Sequence, residues 1–168
     1  MKVLKTIKLY MNGQFPRTES GRSYPVYLNR SKKEYARLCQ SSRKDLRNAV
    51  GFAKVGQKNW AKRSAYNRGQ ILYRMAEMLE GKREEVSTAL KQTQGLTSAQ
   101  TKKLIDQSID HLVHFAGFSD KYEQILGSKN PINGPFHNFT SPTPMGVIGH
   151  LSVDETLDQL IEKISATI

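Results

Sequence analysis

Residues 60–85, WAKRSAYNRGQILYRMAEMLEGKREE, decide how this chain is read. Ser64 is of the type that caps a helix, because its short hydroxyl can accept from the open N–H groups of a first turn. Behind it Ile71, Leu72, Met75, Ala76 and Leu79 recur at intervals of three and four, the period of one buried helical face. Gly81 interrupts the pattern. A shorter helix is expected from Arg83 to Gln94, with Gly95 as its stop. Two helices in close succession make a helical layer the central part of the molecule.

The same signals extend the layer on both sides. Ser42 followed by Asp45 resembles a capping box, opening a helix to about Lys58 whose buried stripe would be Ala49, Phe52, Ala53 and Gly56. Thr97 with Gln100 is another capping box. The helix behind it puts Ile105, Ile109, Leu112, Val113 and Ala116 on one face, then continues or bends near Gly117 towards Leu126 and a stop at Gly127.

Towards the N-terminus, Asn12-Gly13 between apolar flanks signals a hairpin, and Glu19-Ser20-Gly21-Arg22 signals a second turn. Residues 24–28 can form a strand that Pro25 confines to an edge. Residues 29–41 are polar and basic and read as a loop. Beyond Asn130-Pro131, residues 136–140 alternate like a strand, residues 145–152 read as a buried strand, and residues 154–168 form a helix on Leu157, Leu160, Ile161 and Ile164. The expected class is α/β. Residues 1–41 form a basic hairpin and loop, residues 42–130 a helical layer, and residues 131–168 two strand segments and a terminal helix.

Composition narrows the partners. The chain has 168 residues, 38% hydrophobic and 24% charged, as expected of a soluble globular protein with a modest core. No apolar run reaches the ~20 residues that span a bilayer. The basic start lacks the apolar stretch and cleavage site of a secretory signal. Cys39 is the single cysteine, which leaves no intramolecular disulfide and suits a reducing compartment. That compartment is read as cytoplasmic, with the mitochondrial matrix as alternative because the first 18 residues contain no acid.

The net charge of +11 is unevenly spread: residues 1–63 hold 16 Lys/Arg against 3 Asp/Glu, and residues 64–168 hold 10 against 12. Such asymmetry points to an anionic partner, an acidic protein or a nucleic acid, or simply to a solvated basic face. Arg17, Arg22, Arg30, Lys32, Lys33, Arg37, Arg43 and Lys44 form the candidate interaction surface. Tyr24 and Tyr27 lie among them in sequence, placed to stack bases or to flank a small sheet.

Three weaker patterns carry little. His111 and His114 beside Asp110 could share a metal or simply be helix-surface histidines. Ser41-x-x-Lys44 lacks the companions of an acyl-transfer motif. Gly146-x-x-Gly149 is half a dinucleotide fingerprint, read better as room for close strand packing.

Several segments occur in order: Tyr10-Met-Asn-Gly-Gln-Phe15, Ser20-Gly-Arg22, Ser42-Arg-Lys-Asp45, Trp60, residues 64–80 and Pro142-x-Pro-Met-Gly-Val-Ile-Gly149. Together they resemble the N-terminal part of the NAD(P)-dependent aldehyde dehydrogenase superfamily over about residues 7–155. The resemblance implies an N-terminal hairpin, the helical layer beside a Rossmann-like sheet, an oligomerisation arm carrying Phe136, Phe139, Pro142 and Pro144, and a first sheet strand at 146–151.

It also implies what is missing. Family enzymes attack the aldehyde with a cysteine, pass hydride to NAD and hydrolyse the thioester with water activated by a glutamate. Cys39 matches no nucleophile position. After the first sheet strand, members carry a proline-bracketed asparagine that donates to the oxyanion. Here Glu155 stands near that position within Ser152-Val-Asp-Glu-Thr-Leu157, and a carboxylate would repel the developing charge.

The expected catalytic, cofactor-binding and metal residues are therefore none, with NAD only if a second chain completes the fold. The expectation is a catalytically inactive, truncated scaffold subunit that pairs with a protein partner or with itself. One piece of a split or heteromeric dehydrogenase is the first alternative. A basic nucleic-acid-associated accessory protein is the second.

Overall fold

A computed structural model of the chain describes residues 4–29 and 31–168. Its contacts divide it into two units, Met1–Trp60 with Glu84–Lys102, and Ala61–Arg83 with Lys103–Ile168.

In the first unit, Asn12 and Gly13 sit at φ 52° and 72°, the left-handed pair that closes a two-residue hairpin, and Met11 bridges Gln14 across it. Strands β1 (Thr6–Ile7), β2 (Ser23–Tyr27) and β3 (Glu34–Cys39) form a sheet in the order β1-β3-β2. β2 runs antiparallel to β3 with Tyr24 opposite Leu38, and β1 runs parallel with Ile7 opposite Leu38. Pro25 lies on the edge strand, where its missing N–H costs no ladder bond.

Helix α1 (Arg43–Trp60) starts on a complete capping box: the Asp45 N–H donates to Ser42 Oγ at 3.2 Å, and the Ser42 N–H returns to Asp45 Oδ2 at 2.8 Å. Helix α3 (Arg83–Gln94) ends at Gly95, φ 72°, where a Cβ would also strike the Asn29 side chain. The Asn29 N–H donates to the Gln92 carbonyl at 2.9 Å and holds that approach.

The second unit is built on helices α2 (Ala65–Gly81), α4 (Ser98–Phe118), α5 (Tyr122–Leu126) and α6 (Leu157–Thr167), with a two-stranded ladder of β4 (Ser128–Lys129) and β5 (Phe139–Thr140). The first turn of α4 falls in the first unit. Leu72, Ala76 and Leu112 are the buried centre, packed by Met75, Leu79, Ile109, Phe115, Ala116 and Ile161. Full burial of a leucine side chain contributes about 1.5–3 kcal/mol, so the α2–α4 contact dominates this unit. Arg83 fastens it further, reaching Glu80 at 2.6 Å and Asp106 at 2.7 Å.

Four expectations change. Residues 29–41 are not simply a loop, because β3 lies inside them and is the central strand. Of the stripe assigned to α1, only Ala49 is even half-buried, while Phe52, Ala53 and Gly56 are exposed; the face that packs instead centres on Asp45 and Ala49. Within 136–140 only Phe139 and Thr140 pair. Residues 145–152 form no strand and are exposed throughout. A strand needs a neighbour to satisfy its backbone, and none lies beside this one.

Candidate functional site

Charge separates by unit. The first holds sixteen Lys/Arg against five Asp/Glu, a balance of +11, and the second holds ten against ten. All of the net charge therefore lies in the first unit.

Of the sequence-predicted cations, Arg17, Arg22, Lys32, Lys33 and Arg43 are exposed. Arg37 is half-buried and engaged, with Nε donating to Ser23 Oγ at 3.0 Å and Nη1 lying 3.4 Å from Glu34. Lys44 pairs with Glu19 at 3.1 Å. Arg30 lies outside the described residues.

The sequence reading missed a feature of α1. Arg43, Arg47, Lys54 and Lys58 are spaced four, seven and four apart, which puts them on one ridge of the helix. All four are exposed, and none has an ion pair among the described residues. The ridge runs ~22 Å along the helix and faces away from buried Asp45. Exposed Leu46 and Val55, each 65% accessible, flank it. The spacing was legible in the sequence.

Asp45 anchors the end of this ridge. Its carboxylate accepts from the Thr18 hydroxyl, the Ser42 N–H and, at 3.1 Å, the Glu19 N–H. The Thr18 hydrogen bond, ahead of the backbone donors, lowers its pKa to about 2.

In the second unit, the predicted arm is open to solvent. Phe136, Phe139 and Pro144 are exposed and Pro142 is half-buried, with Asn130 Nδ2 donating to Asn138 Oδ1 and Thr140 Oγ1 at 3.0 Å to hold the β4–β5 turn. Beyond it the apolar run is open to solvent: Met145 is 94% and Leu151 86% accessible, with Val147, Ile148 and Val153 also exposed.

The groups tied to chemistry are scattered. Cys39 is half-buried at the end of β3, opposite Ser23. Glu155 is ion-paired to Lys163, and the hydrogen bond from that ammonium holds its pKa below the usual carboxylate range. His114 stacks on Phe118 and lies edge-on to Phe115. No group of three metal-ligating side chains occurs among the described residues.

Gly146 and Gly149 lie on exposed backbone where a Cβ at either would meet nothing within 4 Å, so neither makes the close strand packing expected of it. An open groove of about 330 Å³ runs beside Gly69, lined by Tyr66, Tyr73, Val113 and Lys121. No helix among the described residues is long and apolar enough to cross a membrane.

The model of the aldehyde dehydrogenase family matches residues 15–152. Among curated proteins, the chain is 33% identical over 149 residues to cytosolic 10-formyltetrahydrofolate dehydrogenase of Xenopus tropicalis, covering 84% of this chain and 16% of that protein. It is 31% identical over 147 residues to mitochondrial benzaldehyde dehydrogenase of Antirrhinum majus, covering 86% and 27%. It is 28% identical over 153 residues to omega-crystallin of Enteroctopus dofleini, covering 87% and 29%.

Two solved structures share the fold. PnpE in complex with nicotinamide adenine dinucleotide gives a TM-score of 0.77 at 24% identity, covering 82% of this chain and 28% of that one. A mutant aldehyde dehydrogenase from Bacillus cereus gives 0.75 at 23%, covering 80% and 28%. The chain thus spans less than a third of the length of these relatives. Its mixed α/β architecture is a part of their fold, and the chain belongs to the aldehyde dehydrogenase family.

Proposed function

We propose that this chain works as a non-catalytic, aldehyde dehydrogenase-derived assembly subunit, binding a protein partner or further copies of itself through its second unit. The observation that carries this reading is the open run at 145–153. Exposed Met145, Val147, Ile148, Leu151 and Val153 stand on backbone that joins no ladder. Apolar side chains on unpaired backbone favour addition to a neighbouring sheet edge. Exposed Phe136 and Phe139 extend the same surface.

The chemistry agrees. The one thiol, Cys39, sits half-buried in a small sheet, and Glu155, near the position where the resemblance expects a donor, is held ionised by Lys163. A reducing compartment, cytoplasmic or mitochondrial-matrix, suits that thiol.

Affinity purification of the tagged chain at near-native expression, followed by mass spectrometry and an NAD-reduction assay, tests the reading. The expected result is a stoichiometric partner or a homo-oligomer that Leu151→Asp disperses, with no NAD reduction on any aldehyde. NAD reduction that persists in Cys39→Ala after rigorous purification, or a monomer without partners, would overturn it.

The retained fold favours a second reading, one piece of a split or heteromeric NAD-dependent aldehyde dehydrogenase. A second chain would then supply the nucleophile, the water-activating carboxylate and the NAD site. Aldehyde oxidation that appears only on mixing the two chains would establish it; a stable but inactive complex would return the argument to assembly.

A further inference from the structure

We propose that the first unit carries a binding surface for single-stranded nucleic acid, built on the outer ridge of α1 and the exposed aromatic rings of the same unit. Arg43, Arg47, Lys54 and Lys58, none ion-paired among the described residues, present four cations in a row ~22 Å long, enough to follow several consecutive phosphates. Arg22 is exposed near the start of the helix: its carbonyl accepts from the Gln40 N–H at 3.0 Å, two residues before the capping Ser42.

Charge alone would serve an acidic protein equally well. The aromatic rings decide between them. Tyr10, Phe15, Tyr24 and Tyr27 are all exposed in this unit, Tyr10 and Phe15 with ring centroids 5.3 Å apart. Bases give such rings a stacking partner while the ridge holds the backbone, the combination that binds single strands without sequence preference. An acidic protein would use the cations and leave the rings in water.

The test is fluorescence anisotropy of the 168-residue chain with a labelled mixed-sequence oligonucleotide of about 16 nucleotides, at the upper end of the site sizes of such surfaces. Four phosphate contacts on a single strand predict an affinity that falls about fiftyfold from about 50 to about 200 mM salt. Arg43→Gln, Arg47→Gln, Lys54→Gln and Lys58→Gln together should remove most of that salt dependence. Tyr24→Ala with Tyr27→Ala should weaken binding about fivefold or more and leave the slope in place. Lys103→Gln with Lys129→Gln, in the neutral unit, should change neither.

Circular dichroism confirms that each variant is folded. Absent or salt-insensitive binding overturns the proposal, as does a folded ridge variant that keeps its slope. Polyglutamate that displaces the oligonucleotide at equal charge would identify an acidic protein as the partner instead.

Discussion

Gly69 of α2 lies against the C-terminal end of α4. A Cβ there would lie 2.5 Å from Ser119 Oγ and 2.7 Å from the Ala116 carbonyl oxygen, and the latter is backbone that cannot swing away. Gly69→Ala should therefore cost about 1–3 kcal/mol. Gly81→Ala, at the end of the same helix with nothing within 4 Å of its Cβ, should be neutral or stabilise by up to about 1 kcal/mol. Urea unfolding of the two variants checks the contrast, and equal losses would remove the close-packing argument.

Asp45 supplies the pH dependence at this scale. Its folded pKa of about 2 lies below the usual 3.8, so its contribution is complete above about pH 4 and is lost as pH falls towards 2. Urea midpoints should drop over that interval, and Asp45→Asn should flatten the drop while lowering the midpoint at neutral pH. The cap formed by Ser42 and Asp45 was readable in the sequence because its partners are three residues apart. The Thr18 hydroxyl that completes the site was not, since only the fold brings it 27 residues along the chain.

At the scale of elements, the helices and the edge strand β2 were legible, and the central strand β3 was not. Ser64, Thr97 with Gln100, and the three-and-four spacing of Leu72, Ala76, Ile105 and Leu112 specify α2 and α4 locally, and the structure places those residues as read. β3 was hidden because Glu34 and Arg37 make its sequence look like surface, although Ala36 is buried at its centre. Residues 145–152 show the opposite error, strand-like composition without a partner. Both follow from one physical fact: strand stability comes from pairing and burial against neighbours, which a single segment does not encode.

Amide hydrogen exchange reads this directly. Protection is expected at Ala36–Leu38 and absent at 145–153 in the isolated chain, with protection at 145–153 appearing once a partner is bound. A protected 145–153 in the isolated monomer would refute the open segment.

For the whole molecule, the separation of charge limits which face can meet another copy. First units brought together would set +11 against +11, while the exposed run at 145–153 lies in a unit with no net charge. Contact through the first unit is opposed at low ionic strength and freed as salt shortens the screening length from ~10 Å at 0.1 M to ~3 Å at 1 M. Contact through the second unit has no such term. Self-association measured by sedimentation should therefore change little between about 50 and about 500 mM salt. Leu151→Asp should weaken it about tenfold or more throughout, by placing a charge in an apolar contact. Phe52→Gln on exposed α1 should leave it unchanged. Association that instead rose steeply with salt, and fell in the Phe52 variant, would move the contact to α1. Leu46 and Val55 would then be its anchors, and the cationic ridge would no longer be free for an anionic partner.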